Sequence, residues 1–443
     1  MTNSGSGGLR VVVVNHNSGS LLKRCIEDLL AMDWSGACEV VIVDSASTDD
    51  SLASVSHLLD HEHPRLRTIR LSENVGFGAN NEALTDLKDV DWVALVNPDA
   101  FVPRNFASGL VASFDHPSIG AASPKILFDD RHRSLRATTG HGQDVRLTKV
   151  EIDGVDVFHR CHVLGAGAER IATSAGASWH LGPSSDVLIP ALGGDSESSG
   201  RATLFLQGTE PTTVVLRDAG HEPVAANVGS AESAAQVTLS GSTTQYIQNA
   251  GSWVDANGIG GNRGYFEPDD GRFAESDDVF AWCGAAVMLR ADYLNDVGLF
   301  DPDYFLYYED TDLSWRGQSR GWTYRYTPDV AVRHRHSAST GQGSALTDVY
   351  QQRNRLRMLA RNASAPVLAR GVIHSVGAAA KIGGRQIAAM RNPGSKGDST
   401  LFARRAKGIA LAFGDLAELR RARKELTARR EVPTADVEQH LGR

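Results

Sequence analysis

Two aspartates, each following a short apolar run, are the first residues with the potential for chemistry. Asp44 ends VVIVD and Asp99 follows WVALVNP. A carboxylate can accept a hydrogen bond from N3–H of a uracil or thymine ring, or bind Mg²⁺ or Mn²⁺ through oxygen. Each has a plainer explanation, because DSASTDDS is rich in helix-capping residues and Asn-Pro-Asp is common in turns. We interpret Asp44 as a candidate base contact and Asp99 as a candidate metal ligand.

An acidic cluster follows an aromatic run in FDPDYFLYYEDTDLSWR. Asp312 and Arg316 stand four residues apart, a spacing that predicts an ion pair along a helix. Glu309 and Asp310 are then left for the site. Paired carboxylates beside aromatic side chains can acquire a proton affinity high enough for general-base catalysis. This segment therefore predicts a catalytic base.

Two weaker signals are alternate histidines and a glycine-rich stretch. His334 and His336 end VAVRHRH, where both would lie on one face of an extended segment and could bind a metal, although a lone histidine is usually structural. Gly76 and Gly78, in ENVGFGANNEAL, precede a predicted helix that includes Asn81. Small residues let backbone amides approach a diphosphate at a helix N-terminus, so this stretch is a candidate diphosphate site.

The elements that must hold these residues alternate strands with helices. Strands are predicted at LRVVVVNHN, EVVIVDSAS and WVALVNPDA, and an amphipathic helix at SLLKRCIEDLLAM. Parallel strands covered by helices follow, and ligands bind at the carboxyl edge of such sheets. The first turn after a strand, VNHNSGS, lacks the glycines of a dinucleotide fingerprint, which argues against a nucleotide-dependent oxidoreductase.

The pattern of apolar and polar residues changes along the chain and predicts four segments. Residues 1–142 and 247–345 form one α/β domain in two parts. Residues 143–246 form an inserted unit like a β-sandwich, because stretches such as ATLFLQG and TTVVLRD alternate with period two. Residues 346–443 form a basic helical region.

Composition and charge narrow the classes of function. The 443 residues are 41% hydrophobic and 22% charged, which is ordinary for a globular chain of about two to four domains. From Arg353 to the end, 19 Lys and Arg stand against 7 Asp and Glu, whereas the preceding part has 26 against 46. The basic tail favours an anionic lipid surface, and the acidic body argues against nucleic acid as a partner.

The tail also carries an apolar stripe. Leu401, Phe402, Ile409 and Phe413 recur at helical spacing among Arg and Lys, so a basic amphipathic helix is predicted, which lies in a membrane interface or packs on the catalytic domain. MTNSGSGGLR lacks the apolar core of a signal peptide, and no run reaches the roughly 18 apolar residues of a spanning helix. The expectation is a cytoplasmic protein, peripheral on the inner face of the cell membrane.

The motifs of the chain, in their order and spacing, resemble family 2 glycosyltransferases of the GT-A fold, nearest to bacterial rhamnosyltransferase-like members. The resemblance covers residues 9–141 and 247–340. Its motifs are VNHNSGSLLKRC, VIVDSASTDDS, ENVGFGANNEA, LVNPDA, FAWCGAAVMLR, LFDPDYFLYYEDTDLSWR and VRHRHSAS. It implies a nucleotide-sugar-binding domain with a Rossmann-like mixed sheet; the β-rich insertion and the basic helical tail lie outside it.

The resemblance also implies roles for single residues. Asp44 contacts the nucleotide base, Asp310 is the catalytic base with Glu309 beside it, and Asp99 and His334 bind Mg²⁺ or Mn²⁺. His334 matches the family's late histidine better than His336 does. The remaining implied contacts are Asn15, Asn74, Gly76, Asn81 and Asn97 for the nucleotide sugar, and Trp282 and Gly284 for the acceptor. Asn97-Pro98-Asp99 stands where the family usually has the metal motif Asp-x-Asp, so a single carboxylate must bind the metal.

The function implied is an inverting, metal-dependent transfer of a sugar, first of all rhamnose from dTDP-rhamnose. The acceptor would be a glycan or a polyprenyl-linked sugar in cell-envelope polysaccharide synthesis. The alternative is a noncatalytic carbohydrate-binding or scaffold protein with a degenerate transferase domain, against which Asp99, Asp310 and His334 argue. The sequence leaves an oligomer open.

Overall fold

The computed structural model describes residues 7–60, 64–140, 142–173, 176–191, 200–240, 242–335, 345–391 and 400–442. These residues form two compact units. Unit 1 comprises the described residues of Met1–Leu127, Ile247–Thr340 and Ala345–Arg443, and unit 2 comprises those of Phe128–Tyr246. Unit 2 begins before residue 143, the boundary expected from alternation, because residues 132–138 already pair with Ser184–Pro190 in an antiparallel ladder.

The strands, numbered along the chain, are β1 Leu9–Asn15, β2 Cys38–Ser45, β3 Leu66–Leu71, β4 Trp92–Val96, β5 Ala100–Phe101, β6 Ile119–Thr138, β7 Val145–Ile152, β8 Val155–Asp156, β9 His162–Leu164, β10 Glu169–Thr173, β11 Gly176–Leu181, β12 Ser184–Pro190, β13 Gly200–Gly208, β14 Thr212–Arg217, β15 Val224–Val228, β16 Ser233–Leu239, β17 Thr244–Asn249, β18 Ser252–Val254, β19 Gly260–Asn262, β20 Asp277–Val279, β21 Ala286–Arg290 and β22 Thr323–His334.

The α-helices are α1 Leu21–Leu30, α2 Ser56–Asp60, α3 Phe106–Val111, α4 Ala291–Val297, α5 Glu309–Gln318, α6 Ala345–Asn362, α7 Ala365–Arg391, α8 Leu401–Ala412, α9 Leu416–Arg429 and α10 Thr434–Glu438. Short 3₁₀ helices cover Ala53–Val55, Gly76–Ala83, Phe158–Arg160 and Pro302–Tyr304.

The sheet of unit 1 is mixed. β4, β1, β2 and β3 are parallel neighbours in that order, and β21 runs antiparallel beside β4. β1 is apolar on both faces, as a central strand must be: Val11 and Val13 enter one core cluster, whereas Val12 enters the other. The predicted parallel strands and their α/β sheet are confirmed.

Unit 2 is built from antiparallel strands. One sheet has the order β10, β11, β7, β13 and β16, with β8 beside β7, and β12 and β14 pair with β9 and β15. Along β16, buried Ala235, Val237 and Leu239 alternate with exposed side chains. Period-two burial of this kind closes a core between antiparallel strands.

The C-terminal helices pack within unit 1. Ile409 and Phe413 of the predicted apolar stripe pack against a core cluster that includes Leu356 and Leu359 of α6, whereas Phe402 is 41% exposed. The stripe is therefore divided between packing and exposure, which corrects the expectation of one continuous apolar face. In the part of the chain that the structure describes, no helix has both the length and the apolarity needed to cross a membrane.

A buried ion pair ties α5 to its surroundings, as the spacing of Asp312 and Arg316 predicted. Arg316 Nε donates to Asp312 Oδ2 at 2.8 Å, and the two side chains are 7% and 1% exposed. Arg316 also donates to the backbone oxygens of Val297 and Leu299. Burial acts to raise the pKa of Asp312, but the charges of Arg361 and Arg316 outweigh it and lower that pKa.

We expect Asp312→Ala to destabilise the protein by about 3–5 kcal/mol, because it leaves the Arg316 guanidinium buried without its charge partner. Urea unfolding measures the loss. The matched control is Asp292→Ala, an exposed carboxylate on α4, whose effect should stay within about 0.5 kcal/mol. Equal midpoints for the two variants would contradict the structural role of the pair.

Candidate active site

Asp99 and His334 come together through two paired strands. β5 pairs with β22 so that His334 lies opposite Ala100, which places the imidazole beside Asp99. His334 Nε2 lies 3.0 Å from Asp99 Oδ1, and both side chains are buried. The structure thus brings together the two residues predicted as metal ligands, whereas His336 lies outside the described residues.

A third residue, Gln248, binds the other side of the imidazole. Gln248 Oε1 lies 2.8 Å from His334 Nδ1, and Gln248 is 3% exposed. Each ring nitrogen of His334 thus lies within hydrogen-bond distance of an oxygen, so Asp99 and Gln248 together fix the orientation of the imidazole. The sequence analysis missed Gln248, since one glutamine in a strand forms no motif.

Asp310 lies in the first turn of α5, directly after a loop with unusual backbone. Phe305, Tyr307 and Tyr308 have φ angles of 45°, 71° and 69°. These angles fall in the left-handed region, which residues other than glycine rarely adopt. Backbone of this kind persists only where neighbouring groups hold it in place.

A side chain of α6 holds this loop. Asn354 Nδ2 lies 2.7, 2.8 and 2.9 Å from the backbone oxygens of Tyr304, Leu306 and Tyr307, and Asn354 is 0% exposed. The helical tail therefore begins by supporting the loop that positions Asp310. The sequence analysis missed Asn354 as well, because it lies in a segment that the family motifs do not include.

Both carboxylate oxygens of Asp310 accept hydrogen bonds. Gly284 N donates to Oδ2 at 3.0 Å, and Thr311 N donates to Oδ1 at 2.6 Å. Burial raises the pKa of Asp310 against the opposing effect of these bonds. Burial and the charge of Asp310 raise the pKa of Glu309 well above its ordinary value. Both carboxyl groups therefore hold a proton more strongly than free carboxyl groups do.

The two clusters share one edge of the sheet. Asn97, in the turn that carries Asp99, donates its N–H to Ala285 O at 2.9 Å and so continues the pairing of β4 with β21. Ala285 follows Gly284, whose own N–H binds Asp310. The Asp99 turn and the Asp310 carboxylate are thus joined through one short backbone segment.

Asn15 and Asp44 lie side by side at the carboxyl ends of β1 and β2. Asn15 Nδ2 donates to Asp44 Oδ1 at 2.8 Å, and both residues are buried. Asp44 Oδ2 also accepts from Ser47 N at 3.3 Å. The carboxylate therefore caps the following turn, which is the structural role that the capping residues of DSASTDDS indicated. The pair occupies the edge where open α/β sheets bind ligands.

The glycine-rich stretch forms a helix that includes Asn81, as expected, but Gly76 and Gly78 lie within it rather than before it. It is a 3₁₀ helix over Gly76–Ala83. Gly76 has φ +67°, and a Cβ there would lie 2.0 Å from Phe305 O, while Phe77 N donates to that same oxygen at 2.7 Å. Gly76 thus permits close packing against the loop before Asp310. Asn74 is exposed and accepts from Ser45 Oγ at 3.3 Å, so it lies near the end of β2.

Two residues expected to contact ligands also make contacts within the protein. The amide of Asn81 is bonded on both sides to the backbone of Phe300, at 2.8 and 3.1 Å. Trp282 is 0% exposed, and its ring lies edge-on to Phe300 in the core. The two contacts show what holds these side chains within the protein, and their expected roles toward ligands stay predictions.

Comparison with known proteins agrees with this geometry. Residues 10–157 match the family described as Glycosyl transferase family 2, and residues 266–358 match Glycosyl transferase family group 2. An N-acetylglucosaminyltransferase of Bradyrhizobium diazoefficiens is 27% identical over 124 residues, 28% of this chain and 26% of the relative. An N-acetylglucosaminyl-diphospho-decaprenol L-rhamnosyltransferase of Mycobacterium tuberculosis is 36% identical over 75 residues, 17% of this chain and 24% of the relative.

The chain spans about a quarter of the length of these curated relatives. Among solved structures, GalNAc-T7 with UDP, GalNAc and Mn²⁺ has a similar fold, with a TM-score of 0.50 and 15% identity over 96% of this chain and 55% of that one. The chain therefore carries a glycosyltransferase domain of family 2, built on the GT-A fold.

Proposed function

We propose that this chain is an inverting, metal-dependent glycosyltransferase that moves a sugar from a nucleotide donor to an acceptor hydroxyl. The observation that carries the proposal is the junction of two clusters at one sheet edge, the Asp99–His334 pair and the Asp310 carboxylate, joined by the hydrogen bond from Asn97 N to Ala285 O. One cluster suits the departing nucleotide, and the other suits the attacking hydroxyl.

The residues of the first cluster fit a divalent cation. A carboxylate oxygen and an imidazole nitrogen are ligands that Mn²⁺ accepts, and Gln248 holds the Nδ1 side of the His334 ring while Nε2 faces Asp99. The described residues include no group of three or more His, Cys, Asp or Glu that could hold a metal. Asp99 and His334 would therefore bind Mg²⁺ or Mn²⁺ together with the donor diphosphate. When bound, the cation supplies charge stabilisation for the leaving nucleoside diphosphate.

Asp310 is the residue that takes a proton. Its pKa, raised by burial, makes it a stronger base than an ordinary aspartate, and Gly284 N fixes the direction of its Oδ2. The ionised carboxylate accepts the proton of the acceptor hydroxyl while the oxygen attacks the anomeric carbon and the bond to the nucleotide breaks. A single displacement of this kind inverts the anomeric carbon.

The names of the relatives suggest candidate donors and acceptors. Rhamnose from dTDP-rhamnose is our first proposal, because one relative is named an L-rhamnosyltransferase of a diphospho-decaprenol-linked sugar. N-acetylglucosamine is the second, because another relative is named an N-acetylglucosaminyltransferase. We further propose a glycan or polyprenyl-linked acceptor in cell-envelope polysaccharide synthesis, at the inner face of the membrane. Asp44, Asn15, Asn74 and Asn97 line the edge assigned to the nucleotide.

Release of nucleoside diphosphate by the purified protein tests the proposed activity. dTDP-rhamnose and UDP-N-acetylglucosamine are compared with Mn²⁺ and with a chelator, and thermal shift reports binding separately. We expect metal-dependent release with one donor in the presence of acceptor. Donor binding without release under every condition would instead support the noncatalytic carbohydrate-binding alternative.

Gln248→Ala should weaken the binding of Mn²⁺ and nucleoside diphosphate by about 10-fold or more, because the His334 ring loses the contact that holds its orientation. Calorimetry measures the affinity. Gln248→Glu keeps an acceptor at this position and should recover most of it. The control is Gln352→Ala, a buried glutamine of α6. Unchanged metal affinity in Gln248→Ala would exclude the positioning role.

A further inference from the structure

Helix α7 has two apolar faces, and one of them packs on unit 1. The packed face repeats every four residues through Val367, Gly371, Ser375 and Ala379, all buried. Gln352 of α6 donates to Ser375 Oγ at 2.9 Å, which fixes the rotation of α7 about its axis. This face attaches α7 to α6.

The second face of α7 is exposed although it is apolar. Ile373, Val376 and Ile387 are 71%, 51% and 57% exposed, and Ala380 and Gly384 continue the same row. At 3.6 residues per turn these positions lie on one side of the helix. Single exposed apolar residues are common, but a contiguous row marks an interaction surface.

Helix α8 extends this surface. A groove of about 660 Å³ runs between α7 and α8 and is lined by Val376, Ala380, Gly383, Ile387, Phe402 and Ala406 among others. Phe402 and, outside the lining, Leu411 on α8 are 41% and 43% exposed. We call the exposed row of α7 together with this groove the α7–α8 face.

The charged residues carried by α7 and α8 have one sign. The sequences of α7 and α8 contain seven Lys and Arg and no Asp or Glu. Arg404 and Arg405 lie 3.2 and 3.8 Å from Asp348 of α6. The other cations with described side chains are exposed: Arg370, Lys381, Arg385 and Lys407. On α7, the first three of these project beside the apolar row.

We propose that the α7–α8 face docks on an anionic lipid bilayer. An exposed apolar row flanked by cations, without carboxylates, is the pattern of a helix that lies in a membrane interface. A second copy of the chain fits this face less well, because two copies meeting there would bring their cations together. Only the purpose of this docking rests on the proposed function: it would hold the transferase near a lipid-linked acceptor.

Sedimentation of the full chain with vesicles tests the proposal without donor or acceptor, so its outcome does not depend on sugar transfer. We expect binding to phosphatidylglycerol-containing vesicles, weak binding to pure phosphatidylcholine, and loss of binding as salt rises. Lys381→Glu with Arg385→Glu should lower the affinity about 30-fold or more, since each cation near an anionic surface contributes substantially. Ile373→Ser with Ile387→Ser should also lower it.

The matched control is Arg420→Glu with Arg421→Glu, an equal change of charge at exposed positions of α9. This variant should stay within a few-fold of the unmodified protein, and circular dichroism confirms that all variants fold. Three results would overturn the proposal: a protein that stays in the supernatant at low salt, equal losses in the two charge-reversal variants, or a dimer in solution that the Ile373 and Ile387 changes dissociate.

Discussion

Asp310→Asn should lower the rate of sugar transfer by a factor of about 10²–10⁴ while donor binding stays nearly unchanged, because the amide keeps the shape of the carboxylate but cannot accept the proton. Initial rates of nucleoside diphosphate release give the first quantity, and calorimetry with donor and Mn²⁺ gives the second. Asp292→Asn, the same chemical change at an exposed position, should leave both unaltered. Near-normal turnover in Asp310→Asn would remove this residue from the mechanism.

The same residue predicts the dependence of the rate on pH. Asp310 must be ionised to accept a proton, and burial raises its pKa, so transfer should decline as pH falls through that raised pKa. The acidic limb of the profile should therefore lie at higher pH than for an ordinary aspartate. Any residual activity of Asp310→Asn should lack this limb. An unchanged limb in the variant would assign the titration to another group.

Asp99→Ala and His334→Ala should each weaken metal-dependent donor binding by at least about 10-fold, because each removes a ligand from a site to which the protein contributes two. Calorimetry with nucleotide and Mn²⁺ measures the change, and the same titration with a chelator shows the part that depends on metal. His336→Ala serves as the matched control. We expect it to bind nearly as well as the unmodified protein, and equal losses in the two histidine variants would contradict the assignment to His334.

The positions of Asp99, His334 and Asp310 could be predicted because each follows from a local pattern. A strand that ends in a polar turn places its last side chains at the sheet edge, whichever strands lie beside it. The family resemblance implied that Asp99 and His334 bind one metal, and the structure adds that β5 and β22 are neighbours. Their proximity is therefore an outcome of topology rather than of spacing.

The contacts that the sequence did not reveal join residues distant in sequence. Asn81 has an amide suited to a sugar, but its partner Phe300 lies 219 positions away, and no local pattern reveals that contact. Gly76 likewise depends on Phe305, which approaches only after the chain has folded. Gln248 belongs to a strand whose alternation predicts burial but not a bond to an imidazole.

The Asn354 amide donates to three backbone oxygens of the loop before Asp310. The C-terminal region is therefore an inseparable part of the transferase domain. A chain shortened to the family motifs would end before α6 and would leave the left-handed residues Phe305, Tyr307 and Tyr308 without this support. Exchange of tails between related transferases would thus require a junction beyond Asn362. The support of the Asp310 loop lies on α6 and the proposed docking face on α7 and α8, so the surface of α7 and α8 could change while Asn354 is kept.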